Sequence, residues 1–135
     1  MIPTTLAPLK ITSNVRNLSL VERLIDDVCQ VYDVSDESYG NMLIAVTEAV
    51  NNAIYHGNKN NQDKFVKIGF ESGNNLLVFS ITDEGSGFDY NNLPDPTDPA
   101  NIHRASGRGV FLMRQLADSI QFENNGRKVM LGFKG

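Results

Sequence analysis

The sequence predicts an α+β fold, with helices in one layer over a mainly antiparallel sheet, and three observations predict it. Apolar residues recur at three- and four-residue steps in two successive segments between positions 15 and 54. The period then drops to two over 65–82, and a second alternating pair closes the chain at 119–133. At 135 residues the chain suffices for one compact core.

The first element expected is a strand over 6–12, ended by Ser13 and Asn14, either of which can accept from the free amides of a helix start. Val15, Leu18, Val21, Leu24 or Ile25, Val28 and Tyr32 then form one apolar stripe, leaving Glu22, Asp26 and Gln30 wet, and the helix should stop near Asp33. Ser35 or Asp36 can cap a second helix carrying Leu43, Val46, Val50, Ala53 and Ile54 on one face, with Gly57-Asn58 as its stop signal. Val66, Ile68 and Phe70 alternate with Lys67, Gly69 and Glu71, which is a strand; Gly73-Asn74-Asn75 is turn chemistry. The return strand 76–82 is nearly all apolar, as a central strand should be. A glycine- and proline-containing loop over 83–106 precedes a third helix marked by Val110, Met113, Leu116 and Ala117. The hairpin 119–123 and 128–133 turns at Asn124-Asn125-Gly126.

Composition excludes several classes of function. The net charge is -4, with no block of Lys and Arg, so direct nucleic-acid binding is not expected. The single cysteine, Cys29, cannot close an intrachain disulfide and sits in an apolar-periodic segment. The first ten residues lack the pattern of a signal peptide, and no stretch has the length and apolarity of a membrane helix. The expected compartment is the cytoplasm, without membrane contact.

Three clusters carry chemistry. On the second helix Glu48, Asn51, Asn52 and Tyr55 gather on the side roughly opposite Val46, Val50 and Ala53. Neighbouring asparagines are poor helix formers, and Glu48 and Asn52 stand one turn apart. A carboxylate can orient or deprotonate a hydroxyl, and an amide oxygen suits Mg²⁺ whose other positions are filled by phosphates and water. The second cluster, Asp83-Glu84-Gly85-Ser86-Gly87-Phe88, follows the apolar strand: Asp83 can accept from an amino group, and Gly85 and Gly87 let backbone approach a flat ligand. The third, Ser106-Gly107-Arg108-Gly109, should stand just ahead of the third helix, where free amides make an anion site. Taken singly, each has an ordinary explanation as a solvated face, a tight turn or a glycine-containing helix start. His56 suits a favourable charge at a helix end, and His103 with Arg104 fits an exposed loop as well as a phosphate contact.

In chain order, Glu48-Ala49-Val50-Asn51-Asn52-Ala53 with His56-Gly57, then Asp83-Glu84-Gly85-Ser86-Gly87, then Gly107-Arg108-Gly109-Val110 resembles the N, G1 and G2 boxes of the GHKL ATPases. The nearest branch is the small stand-alone anti-sigma factor serine/threonine kinases of the RsbW type. This resemblance implies the Bergerat fold, a two-layer α/β sandwich with helices on one face of a mainly antiparallel mixed sheet. It implies that Glu48 is the general base or an orienting carboxylate, Asn52 the Mg²⁺ ligand and Asn51 a nearby phosphate or metal-shell contact. It makes Asp83 the acceptor for the adenine amino group, places Gly85 and Gly87 beside base and sugar, and makes 88–106 a lid over ATP. Gly107 and Gly109 would offer amides to the phosphates, with Arg104, Arg108 and Val110 completing the nucleotide contacts. One departure stands out: the family often has a threonine after the glycine opening the final strand, whereas Gly126 is followed here by Arg127 and Lys128. The implied function is an ATP- and Mg²⁺-dependent kinase that phosphorylates a small anti-sigma antagonist and otherwise restrains a sigma factor, with a homodimer as the family's assembly. The alternative is a non-catalytic, ATP-dependent binding switch on the same fold.

Overall fold

The computed structural model describes residues 5–73, 75–85 and 105–134. Five strands, β1 (Thr5–Thr12), β2 (Phe65–Gly73), β3 (Leu76–Thr82), β4 (Ser119–Glu123) and β5 (Lys128–Lys134), form one sheet in the order β1-β2-β3-β5-β4. Every pairing among the described residues is antiparallel. The apolar strand β3 occupies the centre, as its composition requires.

Register separates the two faces. Ile68, Ile81, Val129 and Phe122 stand opposite one another along one row, and Phe70, Phe79, Leu131 and Ile120 along another. These rows face the core with the helices α1 (Leu18–Val31), α2 (Asp36–Asn52) and α3 (Ala105–Leu116). The row flanking the first, Lys10, Lys67, Thr82, Lys128 and Glu123, belongs to the opposite, polar face, where Lys128 pairs with Glu123 at 3.7 Å and Lys10 Nζ lies 4.2 Å from the Phe65 ring centroid.

The helical layer departs from the sequence expectation in three places. The first helix does not begin at Val15: Asn14 accepts from the Arg16 amide at 2.9 Å and starts a 3-10 turn (Val15–Asn17), which leaves Val15 exposed and delays α1 to Leu18. α2 is capped by Ser35, whose side chain accepts from the Ser38 amide at 3.2 Å, but regular α geometry ends at Asn52 and a π-helical turn carries the chain through Ala53–Gly57. The Asn58 amide closes that turn on the Ala53 carbonyl, five residues back, at 2.8 Å. Finally, α3 already includes 105–109, so Ser106-Gly107-Arg108-Gly109 is the first turn of the helix and does not precede it. The expected lid over 88–106 therefore loses its last two residues to α3, and the rest of it lies outside the described residues.

α2 packs between α1 and α3, and both sides of it are used. Met42, Ala45, Val46, Ala49 and Val50 are buried, while Glu48, Asn51 and Asn52, for which a solvated face is the ordinary alternative to a ligand site, are half-buried on the helix that α3 packs against. Beneath the helices Phe79 contacts Phe70 and Phe133 with ring centroids 5.1 and 6.2 Å apart. Removing the Phe79 ring from this fully buried position should cost about 3–5 kcal/mol. Urea denaturation of Phe79→Ala should accordingly show a lower midpoint at unchanged slope.

Candidate functional site

Where α2 passes into its π turn the backbone comes against the turn after β3. A side chain at Gly85 would collide with the Gly57 carbonyl, and one at Gly57 would strike the Asp83 carboxyl group. Only glycine at both positions permits this approach. The turn itself is fixed on three sides. The Asp83 amide donates to the Arg127 carbonyl at 2.9 Å, the Glu84 amide to Asn58 Oδ1 at 2.8 Å, and the Gly85 amide to Asp83 Oδ1 at 2.8 Å.

Beside this junction lies a cavity of about 160 Å³. Its floor is apolar: Ala49 and Ala53 from the second helix and its π turn, Ile81 from β3, Met113 from α3, Phe122 from β4 and Val129 from β5. Its polar groups are Asn52, His56, Asp83 and Arg127. A cavity of roughly 150 Å³ lodges a benzene-sized ring. The space is therefore on the scale of one flat ring system, with a carboxylate at its polar side.

Burial raises the Asp83 carboxyl above its ordinary value; the Gly85 amide and the positive charges of Arg127 and Lys64 pull the other way without cancelling it. Arg127 thus meets the site twice: its backbone carbonyl accepts from the Asp83 amide, and the residue is part of the cavity lining.

The remaining candidates fall around this centre unequally. Gly109 abuts Asn52: a Cβ built on Gly109 would lie 2.9 Å from Asn52 Nδ2 and 3.0 Å from its Oδ1. The expected role of Gly109 as a free amide does not survive the earlier start of α3, because the helix ladder takes up that N–H and leaves Gly107 among the free amides of the first turn. What Gly109 contributes is space for the Asn52 amide. Asn51 Oδ1 is buried and, among the described residues, has no hydrogen-bond partner. Glu48, one turn before Asn52 on α2, is half-buried and stands outside the cavity lining. Val110 is buried in the core. Gly87 and Arg104 lie outside the described residues, as does the side chain of Arg108. Sequence reasoning missed the apolar floor contributed by Met113, Phe122 and Val129, and it took Asn58 only as a stop signal.

Among the described residues, three helices over an antiparallel sheet enclose a ring-sized cavity between the second helix and the turn after the central strand, a space that suits a nucleotide base. The chain belongs to the family described as the histidine kinase-like ATPase domain, whose profile matches residues 11–133. It is 25% identical over 122 residues to a serine-protein kinase RsbW of Oceanobacillus iheyensis, covering 86% of this chain and 77% of that protein. It is 30% identical over 106 residues to an anti-sigma F factor of Clostridium beijerinckii, covering 73% of each. The solved structure of the RsbU and RsbW domains of a Mycobacterium tuberculosis protein superposes with a TM-score of 0.58 at 14% identity over 96% of this chain. This chain spans 32% of that longer one, and the likeness is one of fold. The family implies ATP as ligand. No helix among the described residues is long and apolar enough to cross a membrane.

Two predictions follow from this geometry. Below about 3.8, the ordinary Asp value, both folded and unfolded chains hold the Asp83 proton. Above it the folded chain keeps the proton longer, so this group's contribution to stability falls as pH rises through the raised folded value. Asp83→Asn, which keeps an acceptor for the Gly85 amide, should melt above the parent at about pH 7, with the difference closing towards about pH 3 in a thermal-denaturation series. Gly109→Ala should gain up to about 1 kcal/mol of helix propensity while displacing the Asn52 amide. Its melting temperature should hold or rise as its ATP affinity, measured by calorimetry, falls.

Proposed function

We propose that the protein is an ATP- and Mg²⁺-dependent serine/threonine protein kinase of the anti-sigma type, which transfers the γ-phosphate to a small antagonist protein and otherwise holds a sigma factor inactive. The observation that carries this is the meeting of Asn52, Asp83 and Gly57 at one ring-sized cavity, with Gly109 directly against Asn52. The names of the relatives, serine-protein kinase RsbW and anti-sigma F factor, support the choice of substrate and partner classes.

In this proposal adenine occupies the apolar floor and donates its amino group to Asp83 Oδ2, since Oδ1 already accepts from the Gly85 amide. Ionised Asp83 is the acceptor needed, and the charges of Arg127 and Lys64 favour that form against burial. The sugar and phosphates leave the cavity past Asn52 towards the first turn of α3, where Gly107 offers a free amide to an anion.

The residues present suit a phosphate-borne magnesium ion. Among the described residues no group of three His, Cys, Asp or Glu side chains could hold a metal, so the phosphates themselves would supply most of its ligands. Asn52 would add an amide oxygen, and the orphaned Asn51 Oδ1 is a second hard oxygen on the same turn. Bound there, Mg²⁺ would neutralise charge on the transferring phosphoryl group. Glu48, a turn earlier, would orient the attacking hydroxyl and accept its proton.

Glu48→Gln should lower transfer of labelled phosphate to the cognate antagonist by about 100-fold or more while ATP affinity stays near that of the parent, because general-base contributions run about 10²–10⁴-fold. Equal labelling by parent and variant would remove Glu48 from the mechanism. The position of Glu48 outside the cavity lining favours one other reading, an ATP-dependent binding switch without catalysis. That reading predicts tight ATP binding with no transfer to any antagonist and no hydrolysis.

A further inference from the structure

Asn58 is 1% exposed, and its side chain is engaged at both ends. Its Nδ2 donates to Ser13 Oγ at 2.8 Å and to the Phe65 carbonyl at 3.0 Å, and its Oδ1 accepts from the Glu84 amide at 2.8 Å. Ser13 Oγ passes the network on by donating to the Lys64 carbonyl at 2.8 Å. The Phe65 amide in turn donates to the Glu84 carboxylate. One buried amide therefore joins the end of β1, the start of β2, the exit of the π turn and the turn after β3.

We infer that Asn58 is a positioning residue for nucleobase recognition: through the Glu84 amide it holds the Asp83–Gly85 turn at the distance from Gly57 that aims the Asp83 carboxyl group into the cavity. This rests on the ATP reading above and goes beyond it, since no part of Asn58 lines the cavity. The direction of the effect follows from where the bond acts. Asn58 grips the backbone between Asp83, which would meet the base edge, and Gly85, which packs on Gly57. Among the described residues, Asn52 and α3, at the phosphate end, receive no hydrogen bond from it. Loosening the turn should thus blur discrimination between bases while leaving triphosphate binding in place.

The test measures ATP and GTP affinities of the full chain by displacement of a fluorescent nucleotide, with melting temperatures alongside. The parent should prefer ATP. In Asn58→Ala the ATP-over-GTP preference should shrink about tenfold, the loss falling on ATP, with GTP affinity within about twofold of the parent. Asn58→Asp keeps the acceptor for the Glu84 amide but gives up both donations, so it should recover ATP preference relative to Asn58→Ala although it melts no higher. A purely structural Asn58 predicts instead that both nucleotides weaken alike, in step with melting temperature, and that result would overturn the inference. If Asn58→Ala does not fold, Asn58→Asp decides the matter: a retained ATP preference at a lowered melting temperature supports the inference, and equal loss of both nucleotides sinks it. A parent that binds neither nucleotide refutes the ATP reading and this inference with it. A parent that binds both equally removes the adenine role of Asp83, leaving phosphate binding standing.

Discussion

The contact on which the site depends is between two pieces of backbone. Gly57 ends a helix and Gly85 lies in the turn after the central strand, so close to the Gly57 carbonyl that Gly85 has no room for a methyl group, while a methyl at Gly57 would strike the Asp83 carboxyl group. Backbone packed at this distance excludes water and sets the Asp83 carboxyl group at a fixed place relative to the helix axis. It also requires the helix to finish in a particular way. A π turn adds one residue to the ring closed by each hydrogen bond, and with the Asn58 amide bonded to Ala53 the chain leaves α2 one residue later than an α turn would allow. Such insertions are common at functional sites, where they redirect a few side chains without disturbing the helix before them.

Holding Asp83 there works against its charge. The group sits beside an apolar floor, and burial favours its protonated form. What opposes this is local: an amide from its own turn and two cations brought by other segments, Arg127 from the start of the last strand and Lys64 from the approach to β2. Where the family resemblance leads to the expectation of threonine, Arg127 acts on this carboxylate by charge. A threonine hydroxyl would contribute a hydrogen bond of fixed reach, whereas a guanidinium acts over several ångströms and is sensitive to salt.

Much of the frame was legible in the sequence, and the boundary of legibility has a physical cause. Val46 and Val50 are buried as their spacing requires, β3 is central as its apolar run requires, and Ser35 caps α2. These features depend on local periodicity or on a side chain bonding three residues ahead. The π turn was not legible because Ala-Ile-Tyr-His-Gly has nothing to distinguish it from an ordinary last helical turn; its form is set by contacts with a distant turn. Asn58 was legible only as a helix stop, since its partners Ser13 and Glu84 lie 45 and 26 residues away. The early start of α3 and the covering of Asn51 and Asn52 share that origin. A face that is polar along one helix looks wet until a second helix is known to lie on it.

The helix that carries the amides also carries the junction with the Asp83 turn, and this gives the site its scale. Asn52 and Gly57 are five residues apart, about 7.5 Å along a helical axis at about 1.5 Å per residue. Glu48 stands about 6 Å before Asn52 on the same reckoning. Glu48, Asn52 and the Gly57 junction against the Asp83 turn are therefore spaced along one rod, in the order in which, on the proposed reading, a hydroxyl, a phosphate chain and a base would meet them. The rod itself is pinned by Val46, Ala49, Val50 and Ile54 in the core. Asp83 alone among these groups comes from another element, and the bonds from Arg127, Asn58 and Gly85 are what bring its turn into line with the rod.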